Sequence, residues 1–196
     1  KGKKINVALN ISSASPYVLA HETAHLMGLP DLYTYGGVEG PKNPAGPWDI
    51  MSSAGRASGF LGWHRHKFDW LDEDRKTYIT SGTHRLKITS LNSSSGVSMI
   101  IIPVDDPDKP SKVFVIEISQ PLRSKGKIHD FVGVLVYCVD AKLATGRNPV
   151  LVYPKEDLIK APFLQGDKFN HAEAPMSMKV LKKNEDGSYT IEVKVK

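Results

Sequence analysis

Residues 21–31 read H-E-T-A-H-L-M-G-L-P-D, and this stretch decides how the first part of the chain folds. In an H-E-x-x-H pattern on a helix the two histidines stand at i and i+4. Four residues turn a helix by about 400° and advance it roughly 6 Å, so His21 and His25 lie nearly in line. Two imidazoles so placed converge on one ion, the arrangement of a catalytic zinc site. Glu22 lies about 100° further round, off the ligand face but within reach of a metal-activated water. Upstream, Ser15 reads as a helix cap and Pro16 as the first turn. Downstream, Gly28 permits a left-handed turn and Pro30 cannot continue the helix. The chain can therefore turn back and present Asp31 as a third, anionic ligand.

The bare five residues also occur by chance on ordinary solvated helices. The added glycine and aspartate weigh towards the metal. Asp49 and Glu39 remain alternative carboxylates for the third position.

Beyond D-E-D-R-K at 72–76, a charged junction, the pattern becomes strand-like. The runs 77–90, 97–104, 113–118, 133–139 and 176–181 carry alternating or continuous apolar residues between turn signals. N-E-D-G-S-Y-T-I-E-V-K-V-K at 184–196 reads as the closing part of a hairpin. The expectation is an antiparallel, sandwich-like β-domain over 76–196, after a metal-binding catalytic part over 1–75.

H-E-T-A-H-L-M-G-L-P-D-L-Y resembles the extended zinc signature of secreted metallopeptidases related to immune inhibitor A, within the metzincin group. G-P-W-D-I-M-S-S at 46–53, L-G-W-H-R-H-K-F-D-W-L at 61–71, V-F-V-I-E-I-S-Q at 113–120 and G-V-L-V-Y-C-V-D at 133–140 are similar to later segments of that family, in the same order. Together these matches span about residues 18 to 170. The resemblance implies an α+β fold: the lower subdomain of a zincin catalytic domain, with zinc helix, Met-turn and following helix, then the β-domain. It implies His21, His25 and Asp31 as Zn2+ ligands, Glu22 as general base and acid, and Met51 as the Met-turn floor. Ser53 stands where some metzincins carry an oxyanion-binding tyrosine. The resemblance further implies protein or peptide substrates, a secreted or cell-surface location, and an N-terminal chain or segment that completes the cleft, because the upper subdomain is missing from this sequence.

Composition narrows the class. The 196 residues are 40% apolar and 24% charged, ordinary for a globular protein. No apolar run approaches the ~20 residues of a membrane span, and no signal peptide is visible. The net charge of +5 comes from scattered lysines without interleaved aromatics, which reads as a solvated surface and not as a nucleic-acid site. Cys138 is the single cysteine, so there is no internal disulfide, and its apolar run marks it as a buried strand residue.

Three further features stand out. His64 and His66 form an H-x-H pair whose members face apart on a helix, read as surface positions flanking Trp63 and Phe68. Asp105, Asp106 and Asp108 form either a solvated turn or a Ca2+ site, without EF-hand spacing. Glu117 and Asp140 sit within apolar runs, where a buried carboxylate needs a partner. For Glu117 that partner is a cation from the catalytic part, or else the residue helps to close the active site. The expected function is zinc-dependent endopeptidase activity. The alternatives are a catalytically incompetent, zinc-stabilised binding or assembly module, and a glycan- or surface-binding role for the β-domain.

Overall fold

A computed structural model describes residues 15–124, 127–129, 132–154 and 156–196. Residues 1–10, K-G-K-K-I-N-V-A-L-N, where the sequence allows at most one strand, lie outside the described residues. Among the described residues, two short α-helices and eleven strands give a mixed α+β molecule dominated by sheet. In chain order they are α1 (Pro16–Leu26), α2 (Gly62–Lys67), β1 (Lys76–Tyr78), β2 (Gly82–Ile88), β3 (Met99–Pro103), β4 (Lys112–Ile118), β5 (Leu122–Ser124), β6 (Lys127–His129), β7 (Val134–Asp140), β8 (Val150–Tyr153), β9 (Lys168–Asn170), β10 (Met176–Lys183) and β11 (Tyr189–Val195). A single turn of 3-10 helix, Glu73–Arg75, precedes β1.

Five strands form a central sheet in the order β1-β3-β4-β7-β8, and four form an outer sheet in the order β2-β11-β10-β9. β5 and β6 make a separate hairpin. All pairings are antiparallel except β1 with β3, which run parallel. The expected antiparallel pattern fails at that edge because the intervening β2 leaves for the outer sheet and carries the chain back before β3 begins. β5, β6, β8 and β9 were not among the expected strands.

Side-chain alternation makes the central sheet the middle of three layers. Ile100, Ile102, Phe114, Ile116, Val134 and Val136 face Met178, Val180, Tyr189, Ile191 and Val193 of the outer sheet. Met99, Ile101, Val113, Val115, Leu135, Tyr137 and Val139 face the other way. They share one core with Ala24, Leu29, Leu32, Trp48, Met51 and Leu61. Burial on both faces explains why β4 and β7 read as continuous apolar runs. The outer sheet is wet on one side, and β11 accordingly alternates Ile191, Glu192, Val193, Lys194.

The helical part is therefore fixed to the sheet by a continuous core across residue 75. Arg75 and Lys76 of the charged junction are themselves buried. The Arg75 guanidinium donates to the carbonyls of Gly96 at 2.6 Å and Ser90 at 3.1 Å, closing the loop before β3.

The N-terminus of α2 is capped by side chains that come from elsewhere. Leu61 N–H donates to Asp49 Oδ2 at 2.7 Å, Gly62 N–H to Glu117 Oε2 at 2.8 Å, and Trp63 N–H to the Tyr137 hydroxyl at 3.1 Å. Tyr137 in turn donates to Glu117 Oε2 at 2.6 Å. These are the amides that a helix start leaves without internal partners. Glu117 thus meets neither expectation: it caps α2 inside the core instead of pairing with a bridging cation or lining the metal site. Arg65 adds only an electrostatic influence.

Candidate metal centre

Local sequence places the two histidines. Ser15 caps α1 by accepting from Val18 N–H at 3.4 Å, and Pro16 opens the helix. At the other end Gly28 takes φ +98°. Leu29 N–H donates to Ala24 carbonyl at 3.0 Å, and Gly28 N–H to His25 carbonyl at 3.0 Å. This is a Schellman closure, with Leu29 packed into the same core as Ala24. It reverses the chain so that Asp31 returns to the histidine face.

The three side chains meet. His21 Nε2 lies 3.1 Å and His25 Nε2 3.2 Å from Asp31 Oδ1, and the two Nε2 atoms are 3.1 Å apart. The tautomers follow from the opposite ring nitrogens. His21 Nδ1 is 3.0 Å from the Ile50 carbonyl and His25 Nδ1 is 2.8 Å from the Leu29 carbonyl. A carbonyl oxygen only accepts, so each Nδ1 carries the proton and each Nε2 presents a lone pair. Asp31 Oδ1 is buried without a hydrogen-bond donor. Three acceptors crowd one point, an arrangement that a cation stabilises.

The donor set fits a metal ion. Ligands held tetrahedrally at about 2.0–2.1 Å stand roughly 3.3 Å from one another. The observed triangle of 3.1, 3.1 and 3.2 Å has that size. Among the described residues it is the one cluster of three or more His, Cys, Asp or Glu side chains close enough to share an ion.

Neighbouring groups define the surroundings. Glu22 is half-buried on α1. The Tyr33 ring stacks on His21 with centroids 6.4 Å apart. Its phenol is pushed up to about 12 by burial and by the adjoining Asp31 carboxylate, with smaller contributions from Tyr35 and Glu22. The Tyr35 hydroxyl donates to Asp31 Oδ2, and this bond raises its own pKa. Met51 is fully buried in the loop alongside, and its carbonyl accepts from Leu32 N–H at 3.0 Å.

The other candidates are placed elsewhere. Asp49 is wholly buried and accepts from Met51 N–H and Leu61 N–H, each at 2.7 Å, with His64 Nδ1 at 2.9 Å. Glu39 is exposed on a loop outside the cluster. Neither lies in the His21, His25 and Asp31 cluster. His64 is buried, contrary to its expected surface position, because α2 lies flat against the core and turns that residue onto Asp49. His66 is half-buried, 3.1 Å from Lys76 Nζ. Asp105 accepts from Ser111 and Lys112 N–H, and Asp106 from Asp108 N–H, which is the bonding of a closed turn. Asp140 is half-buried and accepts from Lys142 N–H at 3.0 Å. Cys138 is buried in β7 as expected.

Sequence reading missed Tyr33, Tyr35, Thr145 and the Ile50 and Leu29 carbonyls. The D-L-Y-T-Y spacing offered a signal only for the tyrosines. Compared with protein-family models, curated proteins and solved structures, the chain matches none.

Proposed function

We propose that the chain is a zinc-dependent endopeptidase, with the part up to residue 75 belonging to the lower subdomain of a zincin-type catalytic domain. The observation that carries this reading is the convergence of two Nδ1-protonated histidines and one carboxylate oxygen, with Glu22 on the same helix. Two imidazoles and one carboxylate are the ligand chemistry of catalytic zinc sites, which keep a further position open. When bound there, zinc supplies a Lewis acid that eases ionisation of water and polarises a peptide carbonyl.

The remaining roles belong to this chain's own side chains. Glu22, one residue on from His21, takes the proton of the attacking water and returns it to the leaving amine. The Ile50 and Leu29 carbonyls hold both rings in the tautomer that leaves Nε2 free to ligate. Met51 and Gly28 serve as structure: one as the packed floor of the adjoining loop, the other as the turn that returns Asp31. The outer face of α1 exposes Leu19 and Met27 beside Trp70, around an apolar groove of about 290 Å³. That face suits a further segment or chain completing the cleft, and protein substrates and a secreted or surface location belong to the same proposal. A glycan-binding β-domain is not favoured by any observation.

Hydrolysis of an unfolded protein substrate, with and without a chelator, tests the reading. Chelator-sensitive cleavage that is lost in Glu22→Gln, with zinc still bound, is expected. Cleavage by Glu22→Gln at the wild-type rate would contradict the assigned role. A second reading, a zinc-stabilised assembly module without turnover, is favoured by one observation. Asp31 ties α1 to the distant Thr145, so a metal held there also braces the fold. Its mark is zinc-dependent stability with no cleavage.

A further inference from the structure

His21 and His25 owe their aim to helix geometry, but Asp31 follows Pro30 in irregular chain and needs some other device to hold it. Such a device surrounds it. The Tyr35 hydroxyl donates to Asp31 Oδ2, the oxygen turned away from the histidines. Thr145, on the loop between β7 and β8, accepts from Asp31 N–H through Oγ1 at 2.9 Å, and the same oxygen lies 3.2 Å from the Tyr35 hydroxyl. Gly146 N–H donates to the Asp31 carbonyl at 3.2 Å, and Tyr35 N–H donates back to the Gly146 carbonyl at 3.1 Å. Gly146 sits at φ +69°, and a Cβ there would stand 2.2 Å from Tyr35 Cγ. The tyrosine ring therefore lies directly on the glycine backbone, where no larger residue fits.

The geometry points to Tyr35 and Thr145 as positioning residues for the third metal ligand, a clamp through which the β7–β8 loop sets the metal affinity of the centre. The inference rests on the metal reading of the same site. With Oδ2 engaged by Tyr35, the carboxylate is held with Oδ1 towards the two Nε2 atoms. Without that bond the carboxylate is free to rotate and to swap its oxygens. Hydrogen-bonding partners behind a metal ligand typically contribute about 10–100-fold in affinity.

Zinc affinity is read by competition with a chromophoric chelator, for the wild type, Tyr35→Phe, Thr145→Val and Thr145→Ser. Cobalt(II) spectra and the unfolding midpoint of the metal-free protein accompany it. Tyr35→Phe and Thr145→Val are expected to weaken zinc binding about 10–100-fold and to shift the cobalt bands. Thr145→Ser, which keeps the hydroxyl, restores both. The metal-free midpoint of Tyr35→Phe stays close to wild type, which separates aim from fold. Wild-type affinity and an unchanged cobalt spectrum in Tyr35→Phe would overturn the clamp while leaving the metal centre standing. Failure of the wild type itself to bind zinc would overturn both.

Discussion

Asp49 Oδ2 stands 2.9 Å from His64 Nδ1, both side chains buried, and this contact engages each with the other outside the His21, His25 and Asp31 cluster. The carboxylate also receives the amides of Met51 and Leu61, so it pins the loop at 49–53 to the start of α2. That loop supplies the Ile50 carbonyl that orients His21. Asp49 thus acts on the metal centre only through backbone.

Asp49→Ala leaves three buried donors without an acceptor. A loss of about 3 kcal/mol in folding stability is expected from denaturant unfolding. Under conditions where the variant remains folded, it should still bind metal, because the ligand triad is untouched. Loss of zinc from a fully folded Asp49→Ala would contradict this separation of Asp49 from the His21, His25 and Asp31 cluster.

Glu117 is 1% exposed, with both of its donors on Oε2 and none on Oε1. Burial, opposed by the Tyr137 and Gly62 hydrogen bonds and by Arg65, pushes its carboxyl up to about 7 from the ordinary 4.5. The folded protein therefore holds a proton that the unfolded chain releases. This contribution to stability is fully present below about pH 4.5 and is lost as pH rises through about 7. Its size is on the order of 3 kcal/mol. Glu117→Gln should flatten the fall in melting temperature over that window, and an unchanged pH profile would contradict the assignment.

Gly62 has no room for a side chain. A Cβ there would meet Glu117 Oε2 at 2.5 Å and Leu91 and Met99 at 3.1 Å. Gly62→Ala should cost about 1–3 kcal/mol by calorimetry or denaturation, through displacement of that carboxylate. A wild-type melting temperature would show that the α2 contact is looser than these distances.

What the sequence made legible was local. The i, i+4 histidines, the Ser15 cap and the Gly28 stop are encoded within about four residues of where they act, and all stand as expected. The long apolar runs at 113–118 and 133–139 likewise became the central strands. Asp31's clamp was not legible, because Thr145 is 114 residues away and its bond is to backbone. His64 was misplaced because helix periodicity separates it from His66 without saying which of them meets the core. The parallel β1–β3 pairing depends on β2 joining the other sheet, which alternation does not encode.

An alanine variant of His25 separates ligand from scaffold. His25→Ala removes one Nε2 and exposes no apolar core, so its metal-free stability should stay near that of the wild type. Its zinc affinity should fall by at least about 10²-fold, as for a lost direct ligand. Chelator competition and thermal unfolding of the metal-free protein check the pair of outcomes, and an unaltered affinity would remove His25 from the site.

Equilibrium dialysis of the metal-stripped chain against buffered zinc tests the three-ligand centre most directly. One zinc per chain is predicted, lost in a variant carrying both His21→Ala and His25→Ala and weakened in Asp31→Ala. A wild-type chain that takes up no stoichiometric zinc, or a doubly substituted chain that retains it undiminished, would contradict the centre and the enzymatic reading built on it.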